Sequence, residues 1–97
     1  MVVGVLKLRL QLFDSHSLKE KRRVVKSLVE RAKSRFNVAV AEVADNDIHD
    51  RAVIGLVTVA NDGPFVNSVL DQAKNQIADD AIGKAEIIEE TLAVEHY

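Results

Sequence analysis

The sequence predicts an α+β domain whose elements run β-α-β-β-α-β, and three observations carry that prediction. From Leu6 to Leu12 leucines alternate with Lys7, Arg9 and Gln11, the two-residue period of a strand with one apolar face. From Leu18 to Phe36 apolar residues recur at three, four and seven, as on one face of a helix. Ala52 to Asn61, AVIGLVTVAN, is a near-continuous apolar run, and it is followed by helix-start residues and a further amphipathic segment.

Taken in order, Val2 to Phe13 reads as the first strand, with Leu6, Leu8, Leu10 and Leu12 on one face. Its other face begins apolar at Val3 and Val5 and then turns basic. Asp14 to Ser17 is a polar break, and Ser17 with Glu20 has the spacing of a capping box, in which each side chain satisfies a backbone N–H at a helix start. The first helix therefore begins about Leu18, with Leu18, Val25, Leu28, Val29, Ala32 and Phe36 as its core stripe. Phe36 to Ala44, FNVAVAEVA, is rich in valine and reads as the second strand. Asp45 to Asp50 is a turn, and Ala52 to Asn61 suits a central strand covered on both faces or nearly so. Asp62, Gly63 and Pro64 supply cap and first-turn chemistry for a second helix whose apolar positions are Val66, Val69, Leu70, Ala73 and Ile77. Lys84 to Glu95 is the last strand, with a facing that its pattern leaves open.

Each strand-helix-strand crossover should be right-handed, which puts both helices on the same side of the sheet. The expected architecture is a ferredoxin-like two-layer sandwich, a four-stranded antiparallel sheet with strands one and three central and two helices on one face. Residues 1–97 form one such domain, since no linker, repeat or low-complexity stretch interrupts the pattern.

Composition narrows the function classes. Of the 97 residues, 47% are hydrophobic and 29% charged, as expected of a chain with a packed core. There is no cysteine, which excludes thiol catalysis, disulfides and thiolate metal sites. No apolar run approaches the roughly 20 residues of a membrane-spanning helix, and the first residues lack a signal-peptide core, so a cytoplasmic protein without a membrane partner is expected. The net charge of -2 conceals an asymmetry. Residues 1–35 hold ten Lys and Arg against three acids, net +7, and residues 36–97 hold three against twelve, net -9. Such a division can mark a polyanion-binding half, unless folding interleaves the two.

On a helical wheel started at Leu18, Lys19, Arg22, Arg23, Lys26 and Lys33 fall between about 40° and 140°, beside an apolar stripe centred near 330°. One interpretation is a surface for the phosphates of RNA. The bland one is a solvated helix face with favourable pairs such as Glu30 with Lys33. A base-stacking platform like that of the RNA-recognition motif is not expected, because Ala52 to Asn61 holds no aromatic residue and the first strand has only Phe13 at its end. The open sheet face, with Val3, Val5 and candidates among Ala39, Ala41 and Val57, suits the interface of a homodimer. Asp45 to Asp50, DNDIHD, fails the calcium-loop pattern at its sixth and twelfth positions, Asp50 and Leu56, and reads as a polar connection. His16, His49 and His96 show no metal spacing, and no nucleophile with a base or phosphate-binding glycine loop is visible. No cofactor, metal or small-molecule substrate is expected, and an enzyme acting at the Asp45 to Asp50 loop is the weakest of the functional hypotheses.

MVVGVLKLRLQL, HSLKEKRRVVKSL, RFNVAVAEV and RAVIGLVTVAND together resemble the YlxP-like family of small bacterial proteins of unknown function. The similarity covers nearly the whole chain and is most specific at HSLKEKR, residues 16–22, and FNVAVAEV, residues 36–43. It implies a ferredoxin-like fold and no established reaction. Members are often encoded beside transcription, translation-initiation and ribosome-maturation factors, which implies an RNA or ribosome role. Where members often carry an aromatic before the third strand, this chain has Ile48 and His49. The leading expectation is thus a non-enzymatic, RNA- or ribosome-associated module using Lys19, Arg22, Arg23, Lys26 and Lys33. The alternative is a homodimeric interaction module using the sheet face around Val3 and Val5.

Overall fold

The leucine alternation becomes strand β1, Val2–Leu12, whose Leu6, Leu8, Leu10 and Leu12 are buried while Val5 and Lys7 on the alternate face are exposed. The computed structural model describes residues Met1 to Tyr97. After β1 come α1 (Leu18–Arg35), β2 (Ala39–Ala44), β3 (Arg51–Ala60), α2 (Gly63–Asp80) and β4 (Ala85–His96). The strands form one antiparallel sheet in the order β2-β3-β1-β4, with α1 over β2 and β3 and α2 over β3 and β1. This is the ferredoxin-like sandwich that alternation and right-handed crossovers predict.

The core lies between the sheet and the helices. Val25, Leu28 and Ala32 of α1 and Val66, Leu70, Ala73 and Ile77 of α2 pack against the inward leucines of β1 and against Ala52, Ile54 and Leu56 of β3. One glycine sets the depth of that packing. A Cβ at Gly4 would lie 2.7 Å from Leu70 Cδ1 and collide with Val66, so a side chain there would hold α2 away from β1.

Three expectations change. The second strand starts at Ala39 rather than Phe36, because Phe36 caps α1: its N–H donates to the Ala32 carbonyl at 3.1 Å, and the N–H of Val38 turns back to the Phe36 carbonyl at 2.9 Å. The strand β3 is covered on one face only. Val57 and Val59 are 40% and 53% exposed, since both helices lie on the other side of the sheet and only Val53 is buried on the open one. Finally, Glu30 pairs with Lys26 at 4.0 Å and not with Lys33. Two tight connections use left-handed backbone, at Asp14 (φ 51°) and Asp45 (φ 58°), which aspartate tolerates better than most residues.

Candidate functional site

The helix that carries the basic strip starts as its sequence requires. The Ser17 hydroxyl accepts from the Glu20 N–H at 3.1 Å, and Glu20 Oε2 accepts from the N–H of His16 at 2.7 Å, one residue earlier than a standard capping box. Beyond this cap the side chains of Lys19, Arg22, Arg23, Lys26 and Lys33 are all exposed, and Lys26 alone meets a carboxylate. The strip runs about 21 Å along the axis, from fourteen residue-to-residue steps of about 1.5 Å each. Two further cations of α1 turn elsewhere. Arg31 Nη1 donates to Asp80 Oδ1 at 3.3 Å, and Arg35 Nη1 to Gln76 Oε1 at 2.8 Å, binding the last turns of α1 to α2.

Folding puts the outer cations of α1 and the acids of α2 and β4 at opposite edges, although Glu42, Asp45, Asp47 and Asp50 lie on the α1 side. The basic helix lies over β2 and β3, toward one edge of the sheet, while β4 forms the other edge. From Gly63 to His96 the chain holds Asp71, Asp79, Asp80, Glu86, Glu89, Glu90 and Glu95 against Lys74 and Lys84. A polyanion would therefore meet an attractive edge and a repulsive one.

The open sheet face is a separate surface. Val3 stands opposite Val59, and Val5 opposite Val57, which itself stands opposite Ala39. Val5 is 40% exposed and Val43 53%, and together with Ala39, Ala41, Gly55 and Val57 they line a depression of about 300 Å³. Lys7 and Arg9 lie on this face and not with the helix strip. Arg9 is held between Asp45 at 4.0 Å and Glu89 at 3.8 Å. No aromatic side chain stands among the paired residues of β1 and β3, as composition already indicated.

A family model described as a protein of unknown function, DUF503, matches residues 3–91. The chain belongs to the DUF503 family. It is 32% identical over 60 residues to the uncharacterised protein YlxP of Bacillus subtilis (strain 168), a match covering 62% of this chain and 65% of that one. Among solved structures it is similar to a de novo designed protein with ferredoxin fold, at TM-score 0.59 and 10% identity, covering 100% of this chain and 88% of the other. It is also similar to a dimeric protein of unknown function and ferredoxin-like fold from Bacteroides fragilis NCTC 9343, at TM-score 0.56 and 12% identity, covering 99% and 96%. Likeness at such identity concerns the fold.

In this DUF503 chain the most constrained polar residue is one that spacing alone did not single out, Lys21. Its side chain is fully buried. The ammonium donates to the carbonyls of Asp45 at 2.6 Å, Asn46 at 3.1 Å and Arg51 at 3.1 Å, and lies 2.8 Å from Glu42 Oε2. Its three N–H bonds are taken by the carbonyls, so Glu42 contributes chiefly as the countercharge of a desolvated cation. The signal was available in the helical phase: Lys21 falls at about 300° on the wheel, beside the centre of the apolar stripe and away from the other cations. The Asp45 to Asp50 connection is therefore organised around a lysine. It is held further by the Ser15 hydroxyl, which donates to the His49 carbonyl at 2.6 Å, and by Gln11 Nε2, which donates to the Asp50 carbonyl at 3.0 Å. No group of three His, Cys, Asp or Glu side chains is placed to hold a metal ion. No helix is long and apolar enough to cross a membrane.

Proposed function

We propose that this chain is a non-enzymatic binding module that takes the phosphates of RNA along the outer face of α1, through Lys19, Arg22, Arg23, Lys26 and Lys33. The observation that carries this reading is the difference between these five cations and the rest of the helix. They neither cap nor pack, and four of the five have no carboxylate partner, whereas Lys21, Arg31 and Arg35 are all engaged within the fold. Five phosphate contacts on a single strand give a salt slope of about -0.7 per contact, or roughly -3.5, so a fourfold rise in salt weakens binding about a hundredfold. Family resemblance supports the ribosome as the setting, and with it a cytoplasmic location. The test is a fluorescence titration against ribosomal RNA at two salt concentrations with the wild type and an Arg22→Glu, Arg23→Glu, Lys26→Glu variant. Equal affinity of the two proteins would remove RNA from this helix.

A second reading, compatible with the first, is a homodimer joined through the open sheet face. Val3, Val5, Val57 and Val59 favour it, because they form a contiguous apolar surface on the side of the sheet opposite α1. The face also carries both signs of charge, Lys7 and Arg9 on β1 and Glu89 and Glu95 on β4, as a self-complementary interface needs. The dimeric neighbour from Bacteroides fragilis is consistent with such use of this fold. Light scattering of the wild type should give a dimer and of a Val5→Lys, Val57→Lys variant a monomer. A wild-type monomer at high concentration would sink the dimer.

A further inference from the structure

The strand β4 is twelve residues long and ends the sheet, so no further strand borders its outer edge. Along such an edge alternate N–H and C=O groups point outward, available to another strand. On the helix side α2 lies mainly over β1 and β3, and a groove of about 640 Å³ remains beside β4, with Leu6, Leu70 and the half-exposed Leu92 as its apolar lining among mostly polar neighbours. Lys74 stands in its wall, 3.3 Å from Glu90 and 3.5 Å from Asp71. The bond to Glu90 raises the Lys74 pKa above its ordinary 10.5, and the two carboxylates outnumber the cation they hold.

We propose that the β4 edge and this groove accept an extended segment of another protein, rich in Lys or Arg and carrying aliphatic residues at alternate positions, as a fifth strand. The backbone edge supplies the hydrogen bonds of strand addition, and the groove receives every second side chain. The carboxylates of β4, of which Glu86 and Glu95 have no cationic partner, select a basic occupant. A second copy of β4 is disfavoured there, because antiparallel pairing would crowd the four glutamates of each strand, eight in all, onto one short ribbon. This site lies at the opposite edge of the sheet from α1 and is independent of the RNA surface.

The probe is an eight-residue peptide alternating lysine and valine. It is compared with the same peptide N-methylated at alternate backbone amides and with one alternating glutamate and valine. Fluorescence anisotropy should show the N-methylated and glutamate peptides binding at least tenfold more weakly than the parent, and Leu92→Lys weakening the parent about tenfold. Amide hydrogen exchange of the full chain should show alternate β4 residues gaining at least tenfold protection when the parent peptide is added. Equal binding of the N-methylated peptide would mean charge attraction without strand pairing and overturn the proposal. Protection mapping to β2, or arising with protein concentration in the absence of peptide, would overturn it too.

Discussion

The two β-α-β halves of the molecule meet the same packing requirement with different chemistry. In β3-α2-β4 the helix is held by an all-apolar stripe, Val66, Leu70, Ala73 and Ile77, set close against Gly4 of the first half. In β1-α1-β2 the buried stripe of the helix is Lys21, Val25, Leu28 and Ala32, so one of its four places belongs to a cation. Apolar contact gives attraction in proportion to area and little direction. Three hydrogen bonds from one ammonium specify where the Asp45 to Arg51 segment must lie relative to α1. The half with the polar anchor also presents the basic outer surface, and the half with the apolar anchor the acidic one.

The largest break in this comparison should come from Lys21→Met, which leaves Glu42 without its countercharge and three carbonyls without their donor. Urea unfolding should show a loss of about 3 to 5 kcal/mol. Adding Glu42→Gln should recover part of it, and Lys19→Met on the outer face should stay within about 0.5 kcal/mol. A Lys21→Met loss no larger than that of Lys19→Met would show the clamp to be energetically idle. Next is the apolar anchor: Gly4→Ala should cost about 1 to 3 kcal/mol by overpacking against Val66 and Leu70, read as a lower urea midpoint at unchanged slope.

The caps test whether the helices start on equal terms. Ser17→Ala and Asp62→Ala should each cost about 1 kcal/mol, since each side chain accepts one N–H, from Glu20 and Phe65 respectively. Smallest of all is the pH response of Lys74. Its folded pKa is raised, chiefly by the bond to Glu90, so its contribution is fully present below the ordinary value of 10.5 and lost only as pH rises through the folded value. Thermal melts of the wild type and of Lys74→Met should therefore differ by the same amount throughout the neutral range and converge as pH rises into strong alkali.

Most of the fold was legible because its signals were periodic. Leucines at every second position oriented β1, and Ser17 and Asp62 marked both helix starts through chemistry that acts within a few residues. Misread features were those decided by distant partners. Valine richness suggested a strand from Phe36, but pairing with β3 begins at Ala39, where Val57 is opposite. The apolar run of β3 suggested cover on both faces, but a sheet with two helices on one side leaves Val57 and Val59 open whatever their hydrophobicity. Within the candidate site, the five outer cations could be placed by their phase. Lys21 hid among them because a lysine in a charged run is ordinarily solvated, and its partners lie 21 to 30 residues away in the chain.

The Lys21 ammonium does for the β2–β3 connection what a bound cation does for many acidic loops, but it arrives covalently tethered to a helix. Its local concentration is fixed by the fold and independent of the solution, as for any ligand joined to its own receptor. Chelators, dilution and changes in ionic composition have no free ion to remove. The loop and α1 should therefore come apart only together, so that hydrogen exchange in Asp45 to Arg51 reports the opening of the helix that carries the outer basic strip.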